Sequence, residues 1–398
     1  MKQIASCFLL AITISFSSCS REEPISRMIE RGLEVSTKQA LLMAKQLEHQ
    51  EGRLPKTISP DGSLETSGYG WWCSGFFPGE LWYLYENNPT EELRKYAERY
   101  TGRVEPAKNL TNTHDVGFML LCSYGNGYRI TREPTYKDVL ITGAHSLASR
   151  YNPTVCAIRS WDFNNNIWQF PVIIDNMMNL ELFTWVARET GDEQFSEMAN
   201  SHAQKTMENH FRPDYSSYHV VSFDTLTGNA HIRQTHQGFS NESAWARGQA
   251  WGLYGYTMMT RETGKPEYAN QARQIAAFLM DHPNMPEDKV PYWDFDAPAN
   301  NIITPLRDAS AAAIMASALL ELSVLENNEF GKRCRTFAEQ QLRSLSSPAY
   351  LAEPGTNQYF TLMHSTGHLP GDSEVDVPLT YADYYYVEAL MRLKKLIN

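Results

Sequence analysis

The feature that most limits what this chain can fold into is a pattern that recurs along it: an apolar-periodic helix, a short polar turn, then a second amphipathic helix. Leu81 to Glu86, the turn Asn87-Asn88-Pro89-Thr90 and Glu91 to Tyr100 form one such unit, with Pro-Thr ahead of two glutamates as a helix start. Met119 to Arg132, Glu133-Pro134 and Tyr136 to Arg150 form another. One turn occurs twice: Arg188-Glu189-Thr190-Gly191 and Arg261-Glu262-Thr263-Gly264 each stop a helix and precede a further one. Ala311 to Leu325, Glu326-Asn327-Asn328 and Phe330 to Leu345 repeat the theme. The last helix, Tyr381 to Leu396, can pair with the first, Thr37 to Gln50, so that six hairpins close on themselves. The units differ in length, which argues against an open solenoid of identical repeats. The expected fold is all-α: an (α/α)6 barrel of inner and outer helices.

Strand signals are sparse. Tyr218 to Phe223 and His231 to Arg233 flank Thr227-Gly228-Asn229 and read as one small β-hairpin in a loop. No linker rich in Pro, Gly or Ser divides the chain, so residues 34–398 are expected to form a single catalytic domain. Ahead of it, Lys2 and the apolar run Ile4 to Phe16 have the charged start and short apolar centre of an export signal. The run ends in Phe16-Ser17-Ser18-Cys19 and a polar tail, as at a bacterial lipoprotein cleavage site. Residues 1–18 are therefore expected to be a signal peptide, Cys19 the lipid-bearing residue and 19–33 a tether. The chain would be a periplasmic or cell-envelope lipoprotein of a Gram-negative-type bacterium, anchored to a membrane by that lipid. Cys73, Cys122, Cys156 and Cys334 are widely spaced with no CxxC, and free thiols are expected.

Charge narrows the function. Lys plus Arg number 35 against 46 Asp plus Glu, a net charge of −11, which disfavours nucleic-acid partners. One buried Arg can still bind a small anion. The nine Trp and 21 Tyr gather beside carboxylates in a few loops, as sugar clefts require. Trp71-Trp72, Trp161 and Trp293 offer stacking planes.

Asp115, in Thr113-His114-Asp115-Val116-Gly117-Phe118, could be a helix cap or a working carboxylate. Asp175 is harder to read as a cap, because Phe170-Pro171-Val172-Ile173-Ile174 leads into it. A carboxyl among apolar side chains holds its proton to higher pH, which is what a general acid needs. Arg247 and Trp251 stand four apart on an expected helix, so a guanidinium fork beside an indole plane suits a sugar carboxylate. HExxH, GxSxG, a P-loop and metal-spaced Cys/His sets are all missing from the sequence, and no metal or cofactor is called for.

Several segments together resemble the unsaturated glucuronyl hydrolases, glycoside hydrolase family 88. They are Thr-His-Asp-Val-Gly-Phe (113–118), Ile-Ile-Asp-Asn-Met-Met-Asn (173–179), Thr-His-Gln-Gly-Phe-Ser (235–240), Ser-Ala-Trp-Ala-Arg-Gly-Gln-Ala-Trp (243–251), Pro-Tyr-Trp-Asp-Phe-Asp (291–296) and Tyr-Ala-Asp-Tyr-Tyr-Tyr (381–386). The resemblance runs from about residue 34 to the end and implies the (α/α)6 barrel reached above. It implies a substrate, an oligosaccharide ending in a 4,5-unsaturated hexuronic acid as left by polysaccharide lyases. It also implies a reaction, hydration of the C4=C5 enol ether. Asp175 then matches the acid/base and Asp115 the second essential aspartate, which holds ring hydroxyls and has no covalent role. Substrate contacts are implied at Trp72, His114, Trp161, His219, Arg233, Thr235, Gln237, Arg247, Trp251 and Ser365. The family's sulfate-tolerant members carry Ser and Lys in the loop before the last helix. Here Met363 to Pro370 lacks the Lys, which argues against a preference for 6-sulfated chondroitin units.

Competing expectations are an unsaturated rhamnogalacturonyl hydrolase acting on pectin fragments, a catalytically inactive glycan-binding lipoprotein, and a sugar epimerase. The 243–251 motif argues against the first, the two aspartates against the second, and the want of a well-placed His pair against the third.

Overall fold

A computed structural model describes residues 23–297 and 306–397. Its helices are α1 (Ile25–Leu47), α2 (Phe76–Asn87), α3 (Glu91–Val104), α4 (Val116–Leu120), α5 (Asn126–Thr131), α6 (Pro134–Ala148), α7 (Leu180–Thr190), α8 (Glu193–His210), α9 (Ala246–Thr263), α10 (Pro266–Asp281), α11 (Ala309–Glu326), α12 (Glu329–Leu345) and α13 (Thr380–Ile397). One π turn, Leu121–Gly125, joins α4 to α5 so that the two act as a single inner rod. The inner helices α2, α4–α5, α7, α9, α11 and α13 each touch the next, and α13 packs back on α2 to close the ring. Outside them α3, α6, α8, α10 and α12 each pack on the preceding inner helix, and α1 completes the circle on α13.

Composition sorts the two layers. Residues Ala309 through Leu320 of α11 and Ala246 through Met259 of α9 are buried without a break, as expected of a helix with no polar face. By length and hydropathy α11 could cross a membrane, yet most of it is buried in the barrel. The outer α12 instead buries one stripe, Cys334, Phe337, Ala338, Gln341, Leu342 and Leu345. The Arg-Glu-Thr-Gly turns work alike. Gly191 and Gly264 adopt φ of 77° and 67° and return their N–H groups to Ala187 and Thr260, a left-handed stop that a side chain resists. Thr90 caps α3 by accepting the Leu93 N–H at 3.2 Å.

Two expectations need correction. First, α1 begins at Ile25, inside the stretch read as a tether, and buries Met28, Ile29 and Leu33. Pro24 precedes its first turn, and the charged residues around it lie on the outer face, which masked the apolar stripe. Second, the expected hairpin, Val220–Phe223 with Ala230–Gln234, is part of a three-stranded antiparallel sheet completed by Pro171–Ile173. Further two-stranded pairs join Leu54–Ile58 to Leu64–Ser67, Tyr151–Asn152 to Ala157–Ile158, and Ser365–His368 to Ser373–Val377. The four cysteines are free thiols. Cys19 and the signal segment lie outside the described residues.

Candidate active site

Two elements bring the aspartates together. Asp115 stands at the N-terminal end of α4 but makes no side-chain cap bond. Its carboxylate instead accepts from the Thr113 hydroxyl at 2.6 Å and stands 3.3 Å from His114 Nε2. Asp175 lies in the 3₁₀ turn Ile174–Asn179, directly after the strand Pro171–Ile173. The turn and α4 are sewn together by the Phe118 N–H, which donates to Asn179 Oδ1 at 2.9 Å. Gly117 permits this approach, because a Cβ there would meet Asn179 Cα at 2.6 Å.

Asp175 has the electrostatics of an acid poised at neutral pH. Burial pushes its carboxyl up to about 7; Arg247 and a backbone hydrogen bond pull it down, Asp115 pushes it up, and the Trp251 indole lowers it slightly. His219 Nε2 stands 3.8 Å from Asp175 Oδ2. The Nδ1 of that ring accepts the backbone N–H groups of His236 and Gln237 at 3.1 and 3.2 Å, so the ring proton sits on Nε2 and faces Asp175. Burial holds the His219 imidazolium form well below its ordinary range, with His236 and Arg247 adding to the effect. His219 is therefore a neutral ring whose Nε2–H stands 3.8 Å from a carboxyl that holds its proton to about pH 7.

Arg247, in the first turn of α9, is 1% exposed. Its Nη1 donates to Asp308 at 3.2 Å and to the Thr366 carbonyl at 2.7 Å, and its Nη2 to the Gly367 carbonyl at 2.6 Å. The guanidinium lies 4.5 Å from the Trp245 ring, which fixes its plane from one side. Asp308 also accepts the Ser310 and Ala311 N–H groups at the start of α11, so it is both a helix cap and the anchor of Arg247.

These groups face a cleft of about 350 Å3. Of the residues singled out in the sequence, Trp72, His114, Asp115, Trp161, Asp175, Gln237 and Arg247 line it. The other expected contacts stand elsewhere. His219 is buried behind Asp175. Trp251 is fully buried and packs on Phe118 and Tyr385, so the ring that stacks on Arg247 is Trp245. Arg233 turns outward to Asn209. Thr235 holds its own loop by accepting the Gly238 N–H at 2.8 Å. Ser365 is buried and accepts the Ser310 N–H at 3.1 Å, and Trp293 is a core residue. Phe163, His236 and His368 line the cleft without having been singled out. His236 lies between two residues that were chosen, and the signal for Phe163 is its place two residues after Trp161. A larger cavity, about 450 Å3, lies toward the other ends of the inner helices. Its charged side chains, most of them half-buried, answer one another, Arg261 with Glu181 and Glu262, and Arg392 with Glu388. Burial raises Glu181 in the larger cavity, where Arg261 answers it, whereas the smaller cleft holds Asp175 at about 7.

A barrel of six helix hairpins with a protonatable carboxyl, a second carboxylate and a buried guanidinium at one end is equipped for acid–base chemistry on a sugar, and the family match makes it a glycoside hydrolase. The sequence pattern of Glycosyl Hydrolase Family 88 matches residues 41–393, and the chain belongs to that family. It is 48% identical over 329 residues to an unsaturated glucuronyl hydrolase of Formosa agariphila, an alignment covering 82% of this chain and 80% of that one. An unsaturated chondroitin disaccharide hydrolase of Streptococcus pneumoniae is 30% identical, covering 81% and 82%. A crystal structure of an unsaturated glucuronyl hydrolase specific for heparin superposes with a TM-score of 0.88 at 48% identity, covering 92% of this chain and 98% of that one.

Proposed function

We propose that this chain removes the 4,5-unsaturated hexuronic acid from the non-reducing end of glycosaminoglycan oligosaccharides left by polysaccharide lyases. The observation that carries the reading is Asp175, a carboxyl held protonated to about pH 7 in a cleft it shares with Asp115 and Arg247. Its proton goes to C4 of the enol ether, and the positive charge left at C5 is shared with the ring oxygen. Water adds at C5 and returns a proton to Asp175, while Asp115 holds the ring hydroxyls. The C5 hemiketal then opens to a ketone, and the hemiacetal freed at C1 releases the rest of the chain. Arg247 answers the uronate carboxylate.

Heparin-type fragments are the proposed substrates. Support comes from the 48% identity to the heparin-specific structure, against 28 to 30% for the chondroitin disaccharide hydrolases, and from the Lys-free loop 363–370. The test follows the absorbance of unsaturated disaccharides from heparin, chondroitin and hyaluronan digests, using protein without residues 1–19. The fastest decay is expected on the heparin panel. A fastest decay on chondroitin overturns the polymer, and no decay by folded protein on any panel overturns the activity.

The chain is further proposed to be exported and held in the cell envelope by a lipid on Cys19. Mass spectrometry of the detergent-extracted protein is expected to find an acylated N-terminal Cys19, and a Cys19→Ala protein is expected in the soluble fraction. An unmodified Cys19 in the membrane fraction sinks this assignment.

A further inference from the structure

Two carboxyls that the reaction does not use face one small pocket outside the cleft. Glu80 of α2 and Asp383 of α13, the aspartate of the 381–386 motif, are 3% and 4% exposed. Both line a pocket of about 10 Å3, room for one water. Asp383 commits both oxygens to backbone, accepting the Thr361 and Leu362 N–H groups at 2.8 Å each. No hydrogen-bond donor among the described residues meets the Glu80 carboxyl. Around the pair stand Ala40 and Met43 of α1, Phe77 of α2, Pro55, and Tyr359, Phe360 and Thr380. Tyr359 is the one titratable side chain among these. Tyr386, one turn along α13, shares its hydroxyl with Ser346 at 2.7 Å. Among the described residues no Lys or Arg acts on either carboxyl.

The segment that Asp383 holds down is strained. Asn357, Gln358 and Tyr359 stand in succession at φ of 54°, 48° and 71°, a left-handed run that side chains resist. Such a run persists only where its surroundings hold it in place. Gln39 of α1 holds one side, donating to the Thr356 and Phe360 carbonyls at 3.1 and 2.9 Å and accepting the Gly355 N–H at 2.8 Å. Asp383 holds the other side, at Thr361 and Leu362. Directly beyond, the strand Ser365–His368 supplies the Thr366 and Gly367 carbonyls that fix Arg247. The anchor of the strained segment is thus also the root of the guanidinium clamp.

We propose that Glu80 and Asp383 share a proton and act as a latch that positions this segment and, through it, Arg247. The proposal rests on the hydrolase reading above for its effect on substrate. Burial raises both carboxyls, with Asp383 adding to the rise of Glu80, while the two N–H groups favour the charged form of Asp383. Asp383 therefore ionises first, and Glu80 keeps its proton. One negative charge then serves the Thr361 and Leu362 N–H groups, and a neutral carboxyl faces it across the pocket. Loss of that last proton leaves two like charges in an apolar pocket without a cation, which draws in water and drives the pair apart. Thr361 and Leu362 then lose their acceptor, the strained run relaxes, and the carbonyls on Arg247 shift.

Hydrogen exchange of the wild-type protein reads the latch without substrate and without a variant. Corrected for the intrinsic rate, the Thr361 and Leu362 amides are expected to exchange roughly tenfold faster at pH 9 than at pH 6, while amides inside α9 do not move. Glu80→Gln keeps a neutral side chain of the same shape in the pocket and is expected to cancel that rise. On an unsaturated disaccharide, the wild-type KM at pH 9 is expected to stand roughly tenfold above that of Glu80→Gln, with equal KM at pH 6 and similar kcat at both. Asp175 titrates in both proteins, so the difference belongs to the pair. Corrected exchange at 361 and 362 that ignores pH overturns the latch. Equal KM for the two proteins at pH 9 overturns its link to Arg247. No turnover by the wild type overturns the hydrolase reading and the effect on KM with it, and the exchange result then decides the latch alone.

Discussion

Asp175→Asn is expected to lower kcat/KM on an unsaturated disaccharide by about a thousandfold while leaving the fold intact. Asn keeps the shape and the neutral polarity of a protonated carboxyl, but it has no proton to give to C4, and a positioned acid contributes roughly 10² to 10⁴ in rate. The wild-type profile should carry a basic limb near pH 7, where Asp175 loses its proton. Stability should move as well, with a sign that can be worked out. The folded carboxyl titrates near 7 instead of its ordinary 3.8, so between those values the folded chain holds a proton that the unfolded chain has lost. That contribution is complete below about pH 4 and lost as pH rises through 7. The buried Asp383, also pushed up to about 7, acts in the same direction, so only the difference between variant and wild type reports on Asp175. Melting temperatures at pH 5 and pH 8 should fall further for the wild type than for Asp175→Asn. A variant that keeps a tenth of the wild-type kcat/KM removes Asp175 from the role of acid.

The fold was legible because its signals are local. An inner helix with no polar face, an outer helix with one stripe and a Gly stop after Arg-Glu-Thr are each complete within about twenty residues, and the closure of the ring follows from counting them. What was missed depends on partners far along the chain. The strand Pro171–Ile173 is three residues long, and its apolar run was read as the approach to Asp175, which it also is. Only pairing with Val220–Phe223, some fifty positions away, makes it a strand.

The site divides in the same way. Residues whose motif places them at an inner-helix start or just before one, Asp115, Asp175 and Arg247, all face the cleft. The helical spacing of Arg247 and Trp251 was sound as geometry, yet it could not say that Trp251 would point into the aromatic core while Trp245, at the helix entrance, took the guanidinium. His219 illustrates a second limit. A strand position gives a direction, but only the loop 235–237 folding over it consumes Nδ1 and leaves the ring, expected as a substrate contact, buried with its Nε2 3.8 Å from the acid. Asp308 was passed over because a carboxylate ahead of an Ala-rich helix is fully explained as a cap. Its second task, holding Arg247 in place, depends on a helix that begins more than sixty residues earlier.

Arg247 is the residue where charge and shape can be separated, and two substitutions do it. Arg247→Met leaves Asp308 buried without its cation and leaves two carbonyls, Thr366 and Gly367, without donors, a loss of about 3 to 5 kcal/mol by analogy with broken buried pairs. Arg247→Lys keeps the charge, but one ammonium cannot serve Asp308, both carbonyls and a substrate carboxylate together, so roughly 2 kcal/mol of stability should go with the orphaned carbonyls. Both should raise KM for a uronate substrate, Lys by about a hundredfold through loss of the fork. The pH profiles should diverge. Arg247 pulls the Asp175 carboxyl downward, so removing the charge in Arg247→Met moves the basic limb to higher pH, while Arg247→Lys leaves it near the wild-type position. Chemical denaturation gives the stabilities, and kcat/KM measured from pH 5 to pH 9 gives the limbs. Equal limbs in the two variants would show that Arg247 acts on the substrate carboxylate alone and that burial, without the guanidinium, sets where Asp175 gives up its proton.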